Sequence, residues 1–355
     1  MIIHINKNVL EHILINAQSF LEKKDASQIT SHVLLDATGE RLEVKATDFE
    51  IGLSMHSQNV SITQPGMATA NGKKLLDIVK ILKDEEILLK TEDSFLYIEQ
   101  EKSKFKLPMF NAEEYPLFPE IDNKARFEIE PVAFLHSIKK ISPAIDTNNP
   151  KYELNGALID LSEESIHFVA TDTRRLAIVT LEKSIDKEIA LIIPKKAIAE
   201  IQKLFFDEME IFYDENTLLI RSENFIFFTK LINGKYPDYK RIIPKEYKVE
   251  LSVNRDQMIS HMKQIATISH EVKLTFQNHA IIFESLGEDN IEAKTEMPFE
   301  ASLEEEIVLA VNSRYMLDFL THVEQDMFQL KINDSTLPFT LQSDNFITVV
   351  MPIML

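Results

Sequence analysis

Asp172 stands between two threonines and two arginines in Thr171-Asp172-Thr173-Arg174-Arg175-Leu176, a short segment that sets a carboxylate beside guanidinium groups in this 355-residue chain. As a catalytic unit, Asp172 would be a general base and the arginines an anion clamp. The alternative is structural: Thr and Asp side chains satisfy backbone groups in a tight connection between strands. Thr-Asp recurs as Thr47-Asp48, 124 residues earlier, and again follows a strand-like stretch, which favours the structural reading for these two residues. Arg174, Arg175 and Leu176 have no counterpart in Phe49-Glu50-Ile51, so those three remain peculiar to the middle of the chain.

Other chemistry is poorly supplied. Gly66-Met67-Ala68-Thr69-Ala70-Asn71-Gly72-Lys73-Lys74 has one residue too many between its glycines for a phosphate-binding loop, and Lys74 stands where a Ser or Thr must reach magnesium. Asn71 is expected to cap a helix beginning at Gly72 or Lys73. The ten histidines show no zinc spacing, and the carboxylate runs Asp84-Glu85-Glu86 and Glu304-Glu305-Glu306 read as solvated loops. Zero cysteines excludes disulfides and thiol chemistry. Neither a metal nor a cofactor is expected.

The elements that would position any site occur three times. Ile5-Asn6-Lys7-Asn8-Val9-Leu10 matches Ile129-Glu130-Pro131-Val132-Ala133-Phe134 and Val253-Asn254-Arg255-Asp256-Gln257-Met258, at offsets of 124 and 124. A second helical segment recurs from Asn71, Pro194 and Asn312, at offsets of 123 and 118. Each copy pairs two amphipathic helices with several strands, among them Leu42–Ala46, Ser165–Ala170, Lys104–Leu107, Phe225–Leu231 and Phe346–Met351. The fold class is α+β: three repeated two-layer modules, two helices on antiparallel sheet in each, over 1–122, 123–246 and 247–355.

The chain carries a formal charge of -19, which argues against broad adsorption to nucleic acid or anionic membrane. The six helical segments together carry +6 and the remainder -25, so the helices are mildly basic and the strands and loops acidic. On spacing, Lys73 with Asp77 and Lys80, and Lys196 with Glu200 and Lys203, occupy the solvent faces of the second helices. No apolar run reaches membrane-span length and no secretion signal is visible at the start, so an intracellular protein is expected.

Three segments carry a family resemblance: Val169 to Ala177, Lys230-Leu231-Ile232-Asn233-Gly234-Lys235-Tyr236-Pro237-Asp238-Tyr239-Lys240-Arg241-Ile242-Ile243-Pro244, and the terminal Val349-Val350-Met351-Pro352-Ile353-Met354-Leu355. With the length and the threefold repeat, the whole chain resembles the bacterial sliding clamps, the beta subunit of DNA polymerase III. The resemblance implies a non-catalytic processivity factor, a head-to-tail homodimeric ring around double-stranded DNA without sequence preference. Its implied partners are the replicative polymerase, clamp-loader subunits, other polymerases and repair proteins; its implied location is the cytoplasm, at the nucleoid. A peptide-binding ring or scaffold without DNA is the alternative, and an enzyme using Asp172, Arg174 and Arg175 a third possibility.

By resemblance, Lys24, Lys151 and Lys196 lie near DNA; charge and spacing add Lys73. The implied peptide pocket comprises Leu154, Thr171, Thr173, Arg174, Arg175, Leu176, Pro237, Arg241, Ile242, Pro338, Val349, Met351, Pro352, Ile353, Met354 and Leu355, with apolar walls and with Arg175 and Arg241 holding a polar or acidic group. Thr173-Arg174 stands where the family usually has Gly-His or Ser-His, and Met354 where Arg or a polar residue is common. The implied ring seam takes Lys74, Phe105, Leu107 and Ile268.

Overall fold

Asparagine opens four of the six helices found among the described residues, each at the end of a strand. Asn6 caps α1 (Lys7–Ala17), Asn71 caps α2 (Gly72–Ile81), Asn254 caps α5 (Arg255–Ala266) and Asn312 caps α6 (Ser313–Leu320); every side chain accepts a first-turn backbone N–H. The middle repeat uses proline instead: Pro131 begins α3 (Pro131–Ile141) and Pro194 immediately precedes α4 (Lys195–Leu204). The helices end earlier than their apolar stripes suggest. Tighter turns, Gln18–Phe20 after α1 and Ser142–Ala144 after α3, carry the stripe onward, the second containing Pro143.

The chain is a computed structural model describing residues 1–25, 27–183, 188–206, 208–287 and 292–355. It groups into two bodies, Met1–Pro131 with Lys203–Leu231, and Val132–Gln202 with Ile232–Leu355, a division that cuts the middle repeat. In the first body a five-stranded antiparallel sheet runs Val60–Gln64, Ile2–Asn6, Glu86–Glu92, Phe95–Gln100, Ser103–Pro108. An eight-stranded sheet joins strands of the first two repeats, with Phe225–Lys230 paired antiparallel to Ile51–Ser57. In the second body another eight-stranded sheet joins the last two repeats through Arg175–Glu182 and Phe346–Val350. A four-stranded sheet runs Lys294–Pro298, Ala280–Ser285, Glu271–Phe276, Ile307–Asn312.

The helices lie on these sheets as the stripes require. Phe134 of α3 meets Phe168 edge-on at 5.7 Å, and Phe319 of α6 contacts Phe328 and Phe346 at 5.9 and 4.9 Å. The sheets run through the junctions between repeats, because the last strand of one repeat completes the open edge of the one before. Glu200, placed on a solvent face by its spacing, is only 7% exposed. No helix among the described residues is long and apolar enough to cross a membrane.

One buried histidine sets an acid limit on the first body. His32 is 4% exposed, its ring lies 4.5 Å from Phe110, and its Nδ1 has no hydrogen-bond partner among the described residues. Burial, with the nearby Lys74 charge, lowers its pKa to about 4. The unfolded chain therefore takes up this proton first as pH falls. Stability from this group is intact above pH 6.5, declines between 6.5 and 4 by about 1.4 kcal/mol per pH unit, and is flat below. Urea unfolding of His32→Leu across that window is expected to show a shallower pH slope than the unaltered protein; equal slopes would refute the assignment.

Candidate peptide-docking site and sheet edges

The Thr-Asp turns prove to be one structure used twice. The Thr171 hydroxyl donates to the Arg175 carbonyl at 2.6 Å and accepts from the Thr173 N–H, while Asp172 accepts from the backbone N–H groups of Arg174 and Arg175. Thr47 donates to the Ile51 carbonyl at 2.8 Å and accepts from Phe49, and Asp48 accepts from Glu50 and Ile51. Thr173 and Phe49 both take positive φ, 71° and 73°. Asp172 is thus committed to the turn. Thr171→Val is expected to cost about 1–3 kcal/mol by removing a buried donor and acceptor, measurable by urea denaturation, with Thr47→Val costing a similar amount.

The middle-repeat turn sits beside an apolar cluster. Leu154, Leu176 and Val349 are buried together with Leu158, Val169, Ile178, Ile192, Tyr236 and Tyr239, and Ile232, Ile243 and Ile347 pack against them. Tyr239 donates to Asp160 at 2.7 Å; burial first, then that carboxylate, holds its hydroxyl well above the usual range, so it remains a neutral donor. Around this cluster lie exposed apolar groups: Ile242, Met351, Met354 and Leu355. Pro237, Pro338, Pro352 and Ile353 are half-buried, and Thr173, Arg174 and Arg241 are exposed. The terminal segment is tied down by Met351 N–H to the Arg174 carbonyl at 2.9 Å and Ile353 N–H to the Ala310 carbonyl at 2.7 Å.

Arg175 is not placed as expected. At 8% exposure its guanidinium donates to Asp172 at 3.1 Å, to Asp318 at 2.6 Å and to the Pro143 carbonyl at 2.5 Å, and it lies 4.5 Å from the Tyr315 ring centre. A planar fork so saturated holds the turn, α6 and the end of α3 together and has little left for a ligand. Arg241, ion-paired to Asp238 at 2.7 Å on the surface, is the more accessible of the two. Sequence reading missed Asp318, Tyr315, Tyr236 and Tyr239. Tyr236 and Tyr239 flank Pro237-Asp238, where their spacing was the available signal.

The repeat itself separates what the fold needs from what this site adds. Thr47 and Thr171 align the strands, so Gly52 in the first repeat corresponds to Leu176, and Phe228 to Val349; each pair is directly opposed across its junction. A Cβ on Gly52 would come within 2.2 Å of the Phe228 ring. Phe228 therefore lies flat where Leu176 stands in the second body, and Phe118 stacks edge-on against it at 5.0 Å. The same strand positions that hold Leu158, Val169, Ile178 and Ile192 hold Leu34, Lys45, Ser54 and Thr69 in the first body. Folding tolerates three polar residues there, so the uniformly apolar lining of the second body is a specialisation beyond what folding requires.

The other candidate residues fall on both bodies. Lys24, Lys73, Lys151 and Lys196 are all exposed. Lys151 and Lys196 share the second body, where Tyr152, Lys195 and Lys196 line a cavity of about 820 Å³ and Lys195 is tied to the Ile145 carbonyl and Thr147. On the first body, Phe105 is half-buried and Lys74 exposed, whereas Leu107 at 7% exposure is already buried within its own chain, which is the core position its alternation fits. Ile268, on the second body, is 47% exposed.

Three copies of a helix-pair-on-sheet unit, joined through continuous sheets and ending in open sheet edges, define the DNA-clamp class of fold. Family models match in chain order: the DNA polymerase III beta subunit N-terminal domain over residues 1–119, central domain over 128–238 and C-terminal domain over 240–354. The beta sliding clamp of Helicobacter pylori strain J99 is 40% identical over 351 residues, covering 96% of this chain and 94% of that protein, and that of Chlamydia pneumoniae is 27% identical, covering 99% and 98%. The crystal structure of the H. pylori beta clamp bound to a DNA ligase peptide superposes with a TM-score of 0.94 at 40% identity over 100% of both chains, and that of the Pseudomonas aeruginosa clamp bound to griselimycin with 0.92 at 25%. The chain belongs to the bacterial beta sliding clamps, the non-catalytic processivity subunit of DNA polymerase III.

Proposed function

We propose that two copies close head to tail into a ring around duplex DNA, through modules 1–122, 123–246 and 247–355, and that the apolar site of the second body docks peptide segments of the polymerase, clamp loader and repair proteins. The observation that carries ring closure is the pair of open sheet edges. Ser103–Pro108 ends the five-stranded sheet and Lys294–Pro298 ends the four-stranded sheet. Their repeat counterparts are the strands already joined at both internal junctions: Phe225–Lys230 with Ile51–Ser57, and Phe346–Val350 with Arg175–Glu182. Hairpin-for-hairpin alignment puts Ser103 where Phe225 and Phe346 stand. The internal registers then set Phe105 opposite Ala293, and Lys106 opposite Glu292, of the partner subunit.

Side chains support the same closure. Phe105 aligns with Phe227, which is fully buried and meets Phe20 at 6.0 Å inside the first body. Counting from the capping asparagines Asn6 and Asn254, Phe20 aligns with Ile268. The half-buried Phe105 and the exposed Ile268 are thus the two halves of a contact that the chain already makes internally. Lys102, Lys104 and Lys106 line one edge and Glu292, Glu296 and Glu300 accompany the other, which favours this pairing over self-pairing of like edges.

The docking reading is supported by the specialised apolar lining and by the ligase peptide bound to the H. pylori clamp. Lys24, Lys73, Lys151 and Lys196 supply weak phosphate attraction, which suits a ring that must slide. This activity belongs in the cytoplasm, at the nucleoid. Loaded protein is expected to stay on nicked circular DNA and to run off the same DNA once linearised. Equal loss from both would overturn the ring, and retention without stimulation of processive synthesis would favour a scaffold.

A further inference from the structure

A second basic constellation, built from other residues than the four candidate lysines, lies between the C-terminal turns of α3 and α6 in the second body. His136, Lys139 and Lys140 from α3 face Thr321, His322, Val323 and Glu324 from the end of α6 around a cavity of about 160 Å³. His322 Nδ1 donates to the Asp318 carbonyl at 2.7 Å, which leaves Nε2 as its other ring nitrogen. Thr321 donates to the Leu317 carbonyl at 2.7 Å, and Arg255 to the Val323 carbonyl at 2.7 Å, so the end of α6 is held in place by its own side chains and by α5. Lys140 Nζ lies 6.0 Å from the Phe346 ring centre. Among the described residues neither Lys139 nor Lys140 forms an ion pair. Glu324 is the one carboxylate in the lining.

Lysines in a last helical turn also answer the helix dipole. That does not account for this pair, because α1 forms with no basic residue in its last turn. The repeat puts Ile15 and Asn16 where Lys139 and Lys140 stand, and Lys263 and Gln264 in the third copy. The fold therefore asks for no such cluster.

We propose that this cleft seats one backbone phosphate of the encircled duplex, a phosphodiester monoanion held by Lys139 and Lys140 with the two imidazoles completing its rim. The inference rests on the clamp reading. A single seat of this kind positions the duplex without sequence preference and lets it move on.

The test uses the full-length protein and a duplex oligonucleotide of mixed sequence, with affinity followed against salt concentration. Lys139→Gln with Lys140→Gln is expected to lower the log–log salt slope by about 1, the loss of one phosphate contact, and to weaken binding alike for all sequences, while Lys139→Arg with Lys140→Arg restores both. An unchanged slope in the double Gln variant, with the unaltered protein still retained on circular DNA, overturns the seat and leaves the clamp reading standing. Loss of retention by the unaltered protein overturns both. Loss of an acidic protein partner with DNA affinity intact overturns the phosphate in favour of a peptide carboxylate.

Discussion

Phe105→Arg combined with Ile268→Arg is expected to leave a folded chain that no longer pairs with a second copy. Each change puts a charge where the internal junction, represented by Phe20 and Phe227, buries two aromatic rings. Truncating a central apolar anchor of an interface costs about 2–4 kcal/mol, some 30- to 1,000-fold in dissociation constant. Two facing arginines add desolvation and repulsion. Sedimentation velocity should show a dimer for the unaltered protein and a monomer for the double variant, with each single variant between them. Because Phe105 is half-buried and Ile268 exposed in the isolated chain, thermal stability of the monomer should change little. A dimer of unchanged strength would mean that the ring closes elsewhere. The register has its own test: Lys106→Glu should weaken pairing, and adding Glu292→Lys should recover it.

Leu176→Gly combined with Val349→Phe is expected to close the docking site while preserving the fold. The pair copies what the first body already contains, Gly52 beneath Phe228, at the same opposed positions of the junction. The new ring would occupy the space of the Leu176 side chain and fill the floor that a peptide anchor must reach. Loss of a central anchor pocket is expected to reduce affinity about 100-fold or more, read by fluorescence anisotropy with a labelled peptide from the polymerase subunit. Dimerisation and retention on circular DNA should persist, since neither uses this floor. Peptide affinity within threefold of the unaltered protein would place docking elsewhere. Val349→Phe alone is expected to destabilise the chain, because Leu176 leaves no room for the ring.

Much of the fold was legible because repetition supplied three readings of one pattern. Asn71 announced its helix start, and the recurrence of Thr-Asp pointed to a backbone role for both turns. Sheet membership was not legible, because a strand such as Phe225–Lys230 carries no sign of which neighbour it will pair with; the partner, Ile51–Ser57, lies more than 160 residues away. Arg175 was misread for a related reason. Its charge suggested ligand binding, but Asp318, 143 residues further on, consumes it, and local sequence cannot reveal so distant a carboxylate. Of the seam residues, Leu107 is buried within its own sheet, Phe105, for which core packing was the competing reading, is half-buried, and Ile268 is exposed.

The junction chemistry also fixes how many clients a closed pair can carry. Six junctions would surround the DNA. Two are sealed by Phe228 over Gly52, and at the two between subunits the corresponding positions are Lys106 and Glu292, a charged pair that offers no apolar floor. Two berths remain, one per chain. Polymerase, loader and repair proteins outnumber them, so successive users of the same ring must take turns: handover becomes displacement from an occupied berth, and the order of events at a replication fork is governed by residence time rather than by available space.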